Sequence, residues 1–394
     1  MMHADRSSPT TQCPACDDEH GLRPFYAVTG IPTQSNLLMK MREAARAHPR
    51  GDLSLAACGA CGFVTNIAFD PATQELSGNY EATQGHSPTF GAFARKLAQR
   101  WADRYQLAGK RVLEIGCGQG EFIALLCETA GAQGIGIDPI LSPDRQPASN
   151  VRFISDRYDE RYADLAVDFI CCRHTLEHVH EPLAFLKTIR HAIGDRPDVV
   201  LAFEVPDTLR VLRECAFWDI YYEHCSYFTA ESLRTCFERA GFEVLDLYRE
   251  FDDQYLIVDA RPALASSAGE SFNLDAEIAR FAERCPAYLK EWQDRFAQWR
   301  QEAARVVLWG SGSKAVGFLS TLGLNDGELP FVVDINPNKQ GTFLPGTAQE
   351  IIAPNGLLQY KPDVVIVMNP VYVDEIKAAL DGMRLHPEIV PLAD

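Results

Sequence analysis

Residues 111–120 read Arg111-Val-Leu-Glu-Ile-Gly-Cys-Gly-Gln-Gly120, and the reading of this run decides the fold. The first five residues form a short apolar stretch of strand length, and three alternating glycines follow it. A helix is expected at once, over 121–128. A second strand over 134–138 then ends on Asp138, roughly twenty residues after the glycines. Strand, glycine loop, helix and strand make a βαβ unit of the nucleotide-binding type. In such a unit the glycines let a ligand approach the backbone, and the spaced acid takes ribose hydroxyls.

Working outward, a strand over 151–154 ends near Asp156. Another over 168–172 leads into His174-Thr-Leu-Glu-His178 and a helix from Glu181. A strand over 198–205, a helix from Ala230 and two β-like runs, 242–247 and 254–258, close the unit. Within the opening run, Glu114 lies inside the strand, so the pattern is E-x-G-x-G-x-G. This resembles motif I of the class I S-adenosylmethionine (SAM) methyltransferases, and the closing pair of strands fits their antiparallel ending. The resemblance implies that Glu114, Gly116, Gly118 and Gly120 lie against the amino-acid part of SAM and that Asp138 holds its ribose diol. It also implies Asp156 near the adenine and His174 lining the pocket. His174, Glu177 and His178 are expected to cap and line that pocket rather than to react.

At 394 residues, two or three domains are expected. A formal net charge of −17 argues against a nucleic-acid or anionic-membrane partner, because phosphate backbones demand clustered Lys and Arg. No apolar run approaches membrane-spanning length. The first thirty residues lack a basic segment followed by an apolar one, so no export signal is expected and a cytoplasmic enzyme is the default. Four of the twelve cysteines stand apart by spacing. Cys13-Pro-Ala-Cys16 and Cys58-Gly-Ala-Cys61 are paired knuckles with the ligand spacing of a structural tetrathiolate zinc site. The other cysteines sit in apolar company and are expected to be buried spectators.

Toward the C-terminus, Leu274, Ile278, Phe281, Cys285, Tyr288, Trp292, Phe296 and Trp299 recur at steps of three or four. They mark one apolar face of a long helix, a packed connector. It leads into a strand over 305–309, then Gly310-Ser-Gly312-Ser-Lys-Ala315, then a strand ending on Asp334. This second G-x-G-x-x-A pattern has the form of a dinucleotide fingerprint. It is expected not to bind NAD, since methyl transfer has no use for a redox cofactor.

Read together, the cysteine head, the SAM-type unit and a tail carrying WGSGSKA and VVDINPNKQGTFLPGT resemble the nucleotide-ketosugar C-3-methyltransferases along nearly the whole chain. The expected fold class is therefore α/β, with a central class I methyltransferase sheet, a small zinc-binding domain before it and a Rossmann-like domain after it. The boundaries are 1–75, 76–265, a connecting helix over 266–304, and 305–394. The family's Tyr-x-Glu-His-x-Ser-Tyr-Phe run stands here as Tyr221-Tyr-Glu223-His224-Cys-Ser-Tyr227-Phe228. The resemblance makes His224 the base, Glu223 its partner and Tyr221 a substrate-facing hydroxyl. Of the family's tyrosine-rich run before the SAM domain only Tyr80 is kept, with Ala82 and His86 where aromatics stand in the family. The implied activity is C-methylation of a nucleotide-linked 4-keto-deoxysugar through an enolate, in a monomer or weak homo-oligomer. O-methylation of a sugar or natural-product hydroxyl on the same scaffold is the alternative. A non-catalytic SAM-binding module is disfavoured, because it has no use for a base.

Overall fold

The computed structural model describes residues 12–19, 21–73, 79–142, 150–263 and 272–392. Strands β1 (Leu22–Pro32), β2 (Arg50–Cys58) and β3 (Val64–Asn66) form an antiparallel meander near the N-terminus. The central sheet is built from β4 (Arg111–Ile115), β5 (Gln133–Ile137), β6 (Val151–Ile154), β7 (Phe169–Arg173) and β8 (Val200–Pro206). The chain then leaves this sheet for a two-residue strand, β9 (Ser226–Tyr227), which pairs with β3. It returns as the hairpin β10 (Phe242–Glu250) and β11 (Tyr255–Pro262). The resulting order is β10-β11-β8-β7-β4-β5-β6, parallel except for β11, which runs antiparallel to both of its neighbours.

β4, β7 and β8 are almost wholly buried, as expected of central strands covered by helices, and their sequences are mainly apolar, whereas the edge strand β6 buries only Val151. The order reverses between β4 and β7, so the crevice for a ligand opens at their carboxyl ends. A third sheet, of β12 (Val306–Trp309), β13 (Phe331–Val333), β14 (Glu350–Ile352), β15 (Val364–Val367) and β16 (Glu388–Pro391), is wholly parallel in the order β14-β13-β12-β15-β16. It has its own reversal between β12 and β15.

The long helix runs over Asp275–Gln301, and its stripe of Phe281, Cys285, Trp292, Phe296 and Trp299 is buried. These residues share one core with Leu53 and Leu55 of β2, with Trp218 and Ile220, and with Phe318 and Leu308 of the C-terminal unit. One hydrophobic cluster thus joins the head, the segment leading to residue 221 and the tail. The expected boundaries near 75 and 265 lie outside the described residues. No helix among those described is long and apolar enough to cross a membrane.

Candidate active site

The glycine loop after β4 takes its shape from close contacts. Gly116 has φ +73, and a Cβ there would lie 2.0 Å from Thr175 Oγ1; one on Gly120 would lie 2.2 Å from Phe153. Both positions therefore demand glycine. Asp138 follows β5 and accepts hydrogen bonds from Gly118 N and Ile140 N, each at 2.8 Å. It thereby braces the loop while lining the same cavity as Gly116 and Gly118. Glu114 is buried at the end of β4. Burial outweighs the neighbouring Arg173 and pushes its carboxyl up to about 8. Its Oε2 has no hydrogen-bond partner. A buried acceptor facing the cavity, a backbone loop without side chains and a carboxylate beside them fit the ammonium and hydroxyl donors of SAM.

Asp156 is placed differently from the expectation. Its carboxylate accepts from Tyr162 Oη at 2.7 Å and pairs with Arg161 at 2.8 Å, and it is not among the residues lining the cavity. A cation five residues along the same turn draws it aside. Arg157 and Tyr158 line the cavity in its stead.

His174 has φ +48 and stands between two carboxylates, with Nε2 2.7 Å from Glu204 and Nδ1 3.4 Å from Glu177. Burial pulls the imidazole down, but Glu204 and Glu177 prevail and lift it to about 9. Glu204 also pairs with Arg173 at 2.8 Å and is held down at about 2, against its own burial.

The turn 221–224 brings the second group of residues to the cavity. Tyr221 Oη lies 3.1 Å from His224 Nε2. Burial, reinforced by the charges of His178, His174 and Lys314, holds the His224 pKa well below the ordinary imidazole value. The ring is therefore neutral near neutrality and can accept a proton. Burial raises the hydroxyls of Tyr221 and Tyr80 well above the ordinary tyrosine range, so both remain donors.

The expected pairing of Glu223 with His224 is not formed. Successive residues in a tight turn point apart, and the Glu223 carboxylate faces the other way. There it accepts from Ser35 N at 3.0 Å, from the Ser35 hydroxyl and from Tyr80.

Glu114, Gly116, Gly118, Asp138, His174, Tyr221 and His224 border one cavity of about 1210 Å³, which also reaches Gly310–Lys314, Asp334, Asn336 and Lys339 of the C-terminal unit. This exceeds the ~300–1,000 Å³ of a single-ligand pocket. The carboxyl ends of both parallel sheets thus face a shared space with room for two ligands. Sequence reasoning missed Ser35, Asn36 and Lys339. Asn36 and Lys339 reach the cavity, and Ser35 reaches Glu223 behind it, through the packing of head and tail; of the three only Lys339 stands in a quoted run, which gave it no role.

The four knuckle cysteines are buried and lie away from this cavity. Cys13 Sγ is 3.8 Å from Cys61 Sγ, and Cys16 Sγ is 3.8 Å from Cys58 Sγ. Ala60 N points at Cys58 Sγ at 3.4 Å. Thiolates arranged tetrahedrally at ~2.3 Å from a zinc ion stand about 3.8 Å apart, so the donor set fits that metal.

Comparison with known proteins agrees with this layout. A methyltransferase domain family matches residues 89–247, and a C-methyltransferase C-terminal domain family matches residues 262–386. The C-methyltransferase NovU of Streptomyces niveus is 25% identical over 93% of this chain and 91% of its own. A ubiquinone biosynthesis O-methyltransferase of Acinetobacter baylyi is 30% identical over 23% of this chain and 43% of its own. Among solved structures, the 1,6-didemethyltoxoflavin-N1-methyltransferase of Burkholderia thailandensis overlaps 43% of this chain and 78% of its own at 19% identity, with a TM-score of 0.34. The magnesium protoporphyrin IX methyltransferase of Synechocystis overlaps 44% of this chain and 84% of its own at 18% identity, with a TM-score of 0.35. Two family matches laid end to end, and a relative aligned along nearly all of both chains, support a SAM-dependent methyltransferase of the C-methyltransferase kind.

Proposed function

We propose that this enzyme methylates carbon in a nucleotide-linked 4-keto-deoxysugar through an enolate, with His224 as the base. The observation that carries the reading is a neutral, buried imidazole in a cavity shared by the SAM-side glycine loop and the C-terminal unit. A carbon nucleophile requires removal of a proton from the carbon beside a ketone. His224 takes that proton, and the C–H electron pair moves into the enolate. Tyr221, held against His224 and still protonated, donates to the developing oxygen charge. Tyr80 and Ser35 hold Glu223 and so fix the turn that carries the base. Bound SAM supplies an electrophilic methyl group; Glu114, Gly116, Gly118, Gly120 and Asp138 would hold it, with His174 at the pocket wall.

A diphosphate-bearing substrate is supported at the other end. Lys339 is 6% exposed and its ammonium reaches Asn36 Oδ1 at 3.2 Å, with no carboxylate within ion-pair distance among the described residues. Asn336 Nδ2 is buried without a partner, and the helix Ser313–Leu322 begins beside it without a side-chain cap. Buried donors of this kind suit an anion. The zinc assignment rests on the sulfur spacing, and the ion's role would be structural, since its four ligands are closed off from the cavity.

The test is incubation with methyl-labelled SAM and a panel of nucleotide 4-ketosugars, followed by NMR of the product. A new C–CH₃ resonance is expected. An O–CH₃ resonance would transfer the reading to hydroxyl methylation.

A further inference from the structure

Glu177 lies in the short turn Leu176–His178 after β7 and is 1% exposed. It lines the cavity, yet neither carboxylate oxygen has a hydrogen-bond partner. Its nearest cation is His174, with Nδ1 at 3.4 Å. Burying a carboxylate with one long ion pair and no well-formed hydrogen bond is costly, so a group in this state has acceptor capacity that the resting protein does not use.

Its neighbours indicate that use. One Glu177 oxygen, one ring nitrogen of His178 and one of His224 lie within 4.8 Å of one another. Hydrogen bonds between the two segments hold them side by side. Cys225 N donates to Glu177 O at 3.1 Å, and Ser226 Oγ donates to Val179 O at 2.7 Å. His178 Nδ1 donates to Glu223 O at 3.1 Å.

When His224 takes a proton it becomes an imidazolium in surroundings that oppose it. His178 packs edge-on with its ring 4.8 Å away, and the charges of His174 and Lys314 also bear on it. Tyr221 and Tyr227 face it as neutral phenols. Asp219, on the same segment, is taken up by Lys314 and Arg210. Glu223 is occupied by Ser35 and Tyr80. Glu177 is the carboxylate at this point with acceptor capacity left.

We propose that Glu177 is the positioning carboxylate of the base: it balances the imidazolium that His224 becomes when the carbon-bound proton is removed. The inference rests on the reading of His224 as the base. In the step itself, the substrate C–H bond breaks and its electron pair enters the enolate. An N–H bond forms on His224, and the new positive charge is met by Glu177 until the proton leaves to solvent.

Four proteins test it: wild type, Glu177→Gln, Glu177→Asp and His224→Asn. Each is measured for SAM binding by calorimetry, for turnover against pH, and for the His224 titration by NMR of histidine-labelled protein saturated with S-adenosylhomocysteine. Glu177→Gln removes a buried carboxylate whose ion-pair partner, His174, keeps Glu204 at 2.7 Å, so the fold is expected to survive with a melting temperature close to that of wild type. It should keep SAM affinity, lose ~10²-fold in kcat with a smaller change in KM, and titrate His224 about one pH unit lower. Glu177→Asp should recover part of both losses. An unmoved His224 titration in Glu177→Gln overturns the inference, as does a rise in KM alone, which would make Glu177 a substrate contact. If His224→Asn keeps wild-type turnover, the base assignment fails and this inference with it. If His224→Asn is inactive while the Glu177→Gln titration is unmoved, the inference alone fails.

Discussion

His174 is an imidazole held charged by geometry. Its ring lies between Glu204 and Glu177, which lift its pKa from the ordinary 6.5 to about 9 despite burial. A histidine raised in the folded state contributes stability that is complete below its unfolded pKa and fades as pH rises through the folded one. Thermal unfolding of wild type and His174→Gln should therefore differ most near pH 6. The gap should narrow between pH 6.5 and about 9. A constant gap would mean that the ring is neutral throughout. Asp138 is the residue-scale test of the cofactor site. It braces Gly118 and Ile140 and is proposed to take the ribose diol. Asp138→Ala should weaken SAM binding by ~1–3 kcal/mol in calorimetry, the worth of hydrogen bonds to a charged acceptor. Unchanged affinity would remove Asp138 from the site.

Among the elements, the helix Ser313–Leu322 does something its sequence does not announce. Its glycine-rich start has the form of a dinucleotide cradle. Its flank, however, presses on the segment that carries the base: a Cβ on Gly317 would lie 2.7 Å from Trp218 O. Lys314, one turn earlier, pairs with Asp219 at 2.8 Å, and Asp219 precedes the 221–224 turn by two residues. Gly317→Ala must push helix and segment apart. The expected cost is ~1–3 kcal/mol in denaturant unfolding, typical of overpacking. Turnover should fall further than SAM affinity, because the glycine loop after β4 is remote from this contact. Equal losses of both would indicate general unfolding rather than displacement of the turn.

At the scale of the whole molecule, the head contributes more than the cysteines proposed to hold zinc. Residues 33–36 lie just beyond β1 and bring Ser35 to Glu223 and Asn36 to Lys339. The knuckles anchor this arm against the central unit, where Leu183 N donates to Pro14 O. Metal analysis should return one zinc per chain. Cys58→Ser or prolonged chelation should lower the melting temperature, and turnover should fall with it although none of the four knuckle cysteines lines the cavity. Zinc-free protein with full stability and activity would refute the site.

The strand Arg111–Ile115, the glycine loop, the spaced Asp138, the closing hairpin and the knuckle cysteines were legible because each depends on local constraints. Period, turn geometry and ligand spacing are written in neighbouring residues. The His224 segment was legible as a motif, though its partners were not. Glu223 and His224 are adjacent in sequence, yet the turn sends their side chains to different neighbours. Asn36, Lys314 and Lys339 come to the cavity from both ends of the chain. The sequence by itself determined the class I methyltransferase fold and the residue types available for chemistry. Which carboxylate stands beside the base, and where a buried cation has no carboxylate at ion-pair distance among the described residues, only the tertiary structure decided. Burial and charge pairing depend on distances between segments that no local pattern encodes.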